Sequence, residues 1–151
     1  MTTEQKKNSF SERFILIGWR EWIYLPSYKN FPIKAKIDTG ARTSALHAAS
    51  INEYKKGHQN RVRFELAQKN LKIDVDTKLL KHVKIINSFG GTEIRPLVNL
   101  KIKLGHNVWN TYVTLTKRAK LTYPMLVGRN TLKKRYIIHS KKSYLTGKYG
   151  C

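Results

Sequence analysis

Lys36-Ile37-Asp38-Thr39-Gly40-Ala41 is the stretch whose reading decides the fold. Residues 31–37 lead into it with an alternating pattern. Ile33, Ala35 and Ile37 fall on one face and Lys34 and Lys36 on the other, which is the period-two signature of a strand. The strand then delivers a carboxylate, a hydroxyl and a glycine. A residue without a side chain just behind a carboxylate lets a ligand or another backbone come close. The Thr39 hydroxyl both donates and accepts, so it can fix its neighbours. This build suits a catalytic carboxylate, although Asp and Gly are also ordinary turn formers and the bare tripeptide reads first as a turn.

A second stretch changes that reading. Tyr123-Pro124-Met125-Leu126-Val127-Gly128-Arg129-Asn130-Thr131-Leu132 is a short apolar strand, a glycine, then a short helix. Together the two stretches resemble the retropepsin-like aspartic proteases. There an apolar strand carries Asp-Thr-Gly-Ala, and a later one runs into Gly-Arg-Asn or Gly-Arg-Asp and a helix behind the active site. More narrowly, residues 34–48 (KAKIDTGARTSALHA), Arg95-Pro96, residues 125–129 and Ser143-Tyr144-Leu145 are similar to a bacterial family that carries the name ATP-dependent zinc protease and is itself retropepsin-like. The resemblance spans residues 17–146 and implies an all-β, closed acid-protease barrel with one short helix. It also implies peptidase activity, with Asp38, Thr39 and Gly40 as the catalytic motif. Ala41, Arg42 and the flap tip Phe89-Gly90-Gly91 would meet substrate, with Arg95 joining them if the fold brings it near. Gly128, Arg129 and Asn130 would support the site from behind.

The rest of the chain is consistent with an all-β fold. Residues 14–18 read as a first strand, and residues 19–25 carry two tryptophans and a tyrosine ahead of a polar turn at 26–30. Residues 43–49 suggest a strand or one helical turn, and residues 54–60 a loop or hairpin end. Residues 61–67 and 71–75 alternate on either side of a turn and read as a hairpin. Asn87 to Gly91 turns the chain between strands at 83–86 and 92–104, where Gly-Gly supplies the positive φ of a tight hairpin. Strands at 108–115, 125–127, 136–138 and 143–145 follow, with a helix over 130–134. Many short strands separated by frequent turn signals indicate a sandwich or barrel. The expected organisation is a flexible N-terminus at 1–13, one domain at 14–146 and a C-terminal tail at 147–151.

Charge is the strongest compositional fact. Thirty Lys and Arg stand against nine Asp and Glu among 151 residues, a net charge of +21. Such a field draws in polyanions at salt-dependent rates: nucleic acid, an anionic membrane surface or an acidic polypeptide. The basic residues are spread along the chain in short clusters only. Cys151 is the one cysteine, so no disulfide can form within the chain. No run of about 18 apolar residues marks a membrane span, and residues 1–13 lack the apolar core of a signal peptide. A cytoplasmic location is expected.

Aspartic proteolysis needs two carboxylates side by side that share a proton, and only one Asp-Thr-Gly is present. The retropepsin resemblance implies that a symmetric partner supplies the second, which a twofold dimer does with one gene copy. Asp74 and Asp76 lack a following glycine and are weaker internal candidates. Viral retropepsins carry an acidic residue two positions after the motif glycine, paired with the arginine of Gly-Arg-Asn. Here that position is Arg42, so an outside carboxylate such as Glu93, Glu53 or a substrate acid would have to lie between Arg42 and Arg129. No His-Glu-x-x-His helix or phosphate-binding G-x-x-x-x-G-K-[ST] loop is present, so no cofactor is expected, with His47 the histidine to watch if zinc is real. The competing reading is a non-catalytic basic β-barrel module that binds RNA or an acidic protein, although no RNA-binding signature supports it.

Overall fold

A computed structural model describes residues 14–87, 89–117, 122–132 and 136–147. The expected flexible N-terminus, the basic cluster at 118–120 and the last tail residues lie outside these. Eleven strands and one short helix follow in order: β1 (Ile15–Leu25), β2 (Phe31–Ile37), β3 (Ser44–His47), β4 (Ala49–Lys56), β5 (Gln59–Gln68), β6 (Leu71–Lys78), β7 (Lys81–Ile86), β8 (Thr92–Leu104), β9 (Asn107–Thr116), β10 (Met125–Val127), α1 (Arg129–Leu132) and β11 (Tyr136–Ser143). A 3₁₀ turn, Pro26–Tyr28, links β1 to β2.

Six strands form a closed barrel in the order β1-β2-β10-β3-β9-β8, the ring shutting where Tyr24 of β1 meets Lys103 of β8. β11 adds to β1 outside the ring and β7 adds to β8. The all-β closed barrel with one short helix is therefore what the chain adopts. The alternation read in residues 97–104 is the barrel wall, with Val98, Leu100, Ile102 and Leu104 buried. β4, β5 and β6 form a separate three-stranded sheet. Its inward residues Val62, Phe64, Leu66 and Val75 join the same core as Ile33, Ala35, Val98 and Val127, so one hydrophobic interior serves both sheets.

Some elements differ from the sequence reading for physical reasons. The two segments expected at 14–18 and 19–25 are one strand, bent by a register shift between Gly18 and Arg20 where β1 pairs with β11. A Cβ on Gly18 would stand 2.3 Å from the Lys142 carbonyl oxygen, so only glycine permits this approach. Residues 54–56 belong to β4, and the turn is confined to Gly57 and His58. This strand escapes the hydrophobic pattern because only Ile51 and Tyr54 are even partly buried. The strand expected at 143–145 ends at Ser143, and Tyr144 takes a left-handed φ of 56°.

The β7–β8 hairpin leaves the barrel as an arm. Pairing between β8 and β9 runs from Leu104↔Asn107 only as far as Leu97↔Thr114. The next residue, Pro96, has no N–H to continue the ladder. From there back to Thr92, β8 pairs with β7.

Candidate functional site

Asp38 stands at the C-terminal end of β2, beside β10. Its N–H donates to the Val127 carbonyl at 2.9 Å, continuing the parallel pairing of Ile37 with Val127. The chain then turns. The Gly40 N–H donates to Asp38 Oδ1 at 3.1 Å and the Ala41 N–H to the Asp38 carbonyl at 3.2 Å, so the loop fixes the carboxylate from its own backbone. A Cβ on Gly40 would lie 3.3 Å from Oδ1. Thr39 and Gly40 are exposed and Asp38 is half-buried.

The Gly128-Arg129-Asn130 segment holds this loop from behind. Arg129 and Asn130 donate their N–H groups to the carbonyls of Ala41, at 2.9 Å, and Arg42, at 3.1 Å. The Arg129 guanidinium reaches the Thr39 and Gly40 carbonyls at 2.9 and 3.3 Å. Gly128 donates to Ser44 Oγ at 2.9 Å. It lies so close that a Cβ there would meet the Thr43 carbonyl carbon at 2.6 Å. Asn130 Oδ1 accepts the Ser44 N–H, and its Nδ2 donates to the Tyr112 carbonyl, both at 2.9 Å. Thr131 joins Ser44 and, at 2.8 Å, Thr111 by hydroxyl contacts. Ser44, Thr111, Tyr112 and Thr131 were not singled out as site residues in the sequence. They lie inside apolar or mixed segments, and only the three-dimensional ladder reveals them.

The structure thus gathers Asp38, Thr39, Gly40, Ala41, Arg42, Gly128, Arg129 and Asn130 into one loop and its brace. Arg42 is exposed and pairs with no carboxylate among the described residues. The two acids considered as its partners are engaged elsewhere: Glu93 accepts from Arg95 at 2.9 Å and Glu53 meets His82 at 2.7 Å. Arg129 is accommodated by backbone carbonyls, so the two arginines need no acid between them. Phe89, Gly90 and Gly91 form the tip of the β7–β8 arm, with Phe89 96% exposed. Asn87 Oδ1 organises that tip by accepting the N–H groups of Phe89 and Gly91 at 3.0 and 2.9 Å. Arg95 lies at the base of the arm, buried, with Glu93 beside it. Asp74 and Asp76 sit on β6, in the other sheet, where Asp76 is held by Tyr54, Arg61 and Arg63.

His47 is buried on β3, in register with Thr116. Among the described residues no three His, Cys, Asp or Glu side chains gather as metal ligands would. No described helix is long and apolar enough to cross a membrane.

A fully buried carboxylate was invisible in the sequence. Glu21 is fully buried and accepts four hydrogen bonds: from the Gly18 N–H at 2.6 Å, the Leu145 N–H at 2.9 Å, and the Thr146 N–H and hydroxyl at 3.1 and 2.7 Å. It fastens Leu145 and Thr146 to β1. Beside it Arg20 bonds Ser143 Oγ and the Tyr123 hydroxyl and lies over the rings of Trp19 and Tyr144. The hydrogen bond to Tyr123 raises the Arg20 pKa further.

Comparison with known proteins follows the same lines. A family model described as RimB-like, retropepsin-like aspartic endopeptidase RimB, matches residues 16–149. A probable alpha-L-glutamate ligase of Shewanella pealeana is 34% identical over 93% of this chain, and one of Parasynechococcus marenigrum is 31% identical over 89%. The chain spans only 31% and 30% of those two relatives. A Legionella pneumophila protein of unknown function has a crystal structure that covers 87% of this chain and 97% of its own, with 31% identity and a TM-score of 0.75. The chain belongs to the RimB-like family of retropepsin-like aspartic endopeptidases.

Proposed function

We propose that this chain is an aspartic endopeptidase in which Asp38 works with the Asp38 of a second copy. The observation that carries the reading is the braced loop. One carboxylate is held by its own turn, and the turn's carbonyls are held by Arg129 and Asn130. Such positioning is what a group that must meet a reacting atom requires. Two such carboxylates brought together on a twofold axis share one proton. The ionised member takes a proton from a water as the water oxygen attacks the scissile carbonyl carbon, and the protonated member gives its proton to the carbonyl oxygen. Collapse of the resulting diol breaks the C–N bond. The proton gained from water goes to the leaving amine. The other carboxylate, ionised by its donation, takes a proton from a diol hydroxyl, which leaves a carboxylic acid and restores the shared proton.

The substrate class we favour is an acidic, glutamate-rich polypeptide. The net charge of +21 and the exposed Arg42 support it, and so do relatives named as glutamate ligases. The test uses purified protein and glutamate-rich peptides, with cleavage followed by mass spectrometry. Asp38→Asn should abolish hydrolysis, and the rate per protomer should fall on dilution as the dimer separates. Cleavage that survives Asp38→Asn, or that is undiminished at nanomolar protein, defeats the reading.

A further inference from the structure

Away from Asp38, a cleft of about 310 Å³ opens between the two sheets, lined by Glu53, Tyr54 and Lys55 of β4 and by Lys81 and His82 at the start of β7. It adjoins a second cleft of about 500 Å³, and the two share Asn60, Leu79 and Leu80. The floor is fixed. The Leu79 N–H donates to the Asn60 carbonyl at 2.9 Å and the Leu80 N–H to the Leu97 carbonyl at 3.0 Å, so the β6–β7 link is fastened to both sheets. Leu79 is buried and Leu80 is 39% exposed, which leaves an apolar strip at the bottom.

The walls are cationic and extended. Lys55 and Lys81 line the first cleft, and Lys56 and Lys78 line the second. The one carboxylate among the lining residues, Glu53, is held by His82 Nε2 at 2.7 Å, with both side chains nearly half exposed. A carboxylate arriving from solvent can take its place. β4 and β7 are both terminal strands, β4 in the three-stranded sheet and β7 in the larger one. Each presents a row of backbone donors and acceptors with no strand beside it among the described residues, the feature that lets an extended polypeptide add to a sheet.

We infer that this cleft is a docking groove for an extended acidic polypeptide segment, which pairs with an edge of β4 or β7 and sets its carboxylates against Lys55 and Lys81. The edge strands and apolar floor favour a polypeptide over nucleic acid, which would use the lysines but not the backbone edges. The inference deepens the proposed function and rests on it for the segment being part of the substrate: the groove would hold a substrate at a distance from Asp38.

The experiment uses the full chain carrying Asp38→Asn, so that binding is read without cleavage. Fluorescence anisotropy follows a fluorescein-labelled decaglutamate peptide and a labelled decauridylate RNA at low salt. Lys55→Glu/Lys81→Glu should weaken peptide binding at least about tenfold. Lys101→Glu/Lys141→Glu makes the same charge change at exposed lysines of β8 and β11 outside the cleft, and should weaken it less than about twofold. Hydrogen exchange should show new protection in residues 52–56 or 81–86 on adding the peptide. Equal losses in the two double variants would overturn the inference in favour of net charge alone. So would an absence of new protection in both strands, or a groove-dependent loss seen for RNA and not for peptide. Residual cleavage by Asp38→Asn in the activity assay would sink the catalytic reading and leave this binding result standing.

Discussion

Asn130 Oδ1 accepts both the backbone N–H of Ser44, at 2.9 Å, and the Ser44 hydroxyl, at 3.1 Å, so a side chain of α1 closes the loop that begins at Asp38. Ser44 is fully buried, so its N–H has no water to turn to if this acceptor is lost. Asn130→Ala should therefore destabilise the fold by about 1–3 kcal/mol, the cost of a buried unsatisfied donor. It should also lower peptidase activity more than stability, because the loop it closes carries the carboxylate. Urea denaturation and cleavage rates measured on the same sample check both parts.

Gly128 makes a steric version of the same test. Its Cβ would enter the space of the Thr43 carbonyl, at 2.6 Å from carbon and 2.7 Å from oxygen. Both are backbone atoms and cannot rotate aside. Gly128→Ala should cost about 1–3 kcal/mol as an overpacked site does and shift the loop bearing Asp38. Gly40→Ala should behave differently. The nearest atom there is the Asp38 carboxylate oxygen at 3.3 Å, a side chain that can give way, so the melting temperature should hold while activity drops. Equal thermal losses in the two variants would contradict this contrast.

What the sequence made legible is what local chemistry repeats: an alternating strand into Asp-Thr-Gly and an apolar strand into Gly-Arg-Asn. The barrel could be read because Val98, Leu100, Ile102 and Leu104 show one-sided burial in plain alternation. β4 could not, since it is solvated on nearly every side and has no hydrophobic period to find. The Ser44–Asn130 closure joins residues 86 positions apart, and no local pattern announces such a pair. Arg42 and Arg129 posed a conflict of charge in the sequence that the backbone resolves, because carbonyl dipoles of Thr39 and Gly40 stand where a carboxylate seemed necessary. Glu21 was hidden for the opposite reason. It sits between Arg20 and Trp22 like any charged residue of a strand, and only the bulge at Gly18 and the turn at Tyr144 bring four donors around it.

Glu21 should accordingly matter to stability out of proportion to its type. Glu21→Ala takes the shared acceptor away from the Gly18, Leu145 and Thr146 N–H groups, and hydrogen bonds to charged groups are each worth about 1.5–3 kcal/mol. The loss should reach about 3 kcal/mol or more, while Glu21→Gln, which keeps one acceptor oxygen, should lose less. Denaturant midpoints of the three proteins order the effect, and a Glu21→Ala midpoint within error of the parent would refute it.

Acid should release a different part of the structure. The Tyr54 hydroxyl first, with Arg61 and Arg63, holds the Asp76 carboxyl below its ordinary value of 3.8. A carboxylate whose folded pKa is depressed binds fewer protons folded than unfolded, so its contribution is fully present above the unfolded value and is lost as pH falls through the folded one. Stability should therefore decline as the pH drops from about 4 toward that lower folded pKa, and Asp76→Asn should flatten this part of the profile. Thermal melts between neutral pH and pH 2 would show it, and a profile with the same slope in Asp76→Asn would exclude Asp76 as the group responsible.

Arg42 carries the last prediction, which concerns substrate choice. Its carbonyl is fixed by the Asn130 N–H at 3.1 Å, so the residue is anchored while its exposed side chain projects from the loop. Glu93 and Glu53, the acids within the chain considered as its partners, are held by Arg95 and His82. A guanidinium so placed can take an incoming carboxylate through two parallel hydrogen bonds, which an ammonium cannot match in geometry. Arg42→Ala should reduce the preference for acidic over neutral peptides about tenfold, the equivalent of roughly 1.4 kcal/mol. Arg42→Lys should fall between. The +21 net charge is spread along the whole chain, and with a Debye length of about 8 Å in physiological salt such distributed charge acts on encounter more than on the bound state. Salt should then slow association of acidic peptides by a similar factor in the parent and in Arg42→Ala, while the preference at saturation differs between them. Competition between an acidic and a neutral peptide, measured as the ratio of kcat/KM across a salt series, separates the two effects. An unchanged ratio in Arg42→Ala would remove Arg42 from substrate recognition.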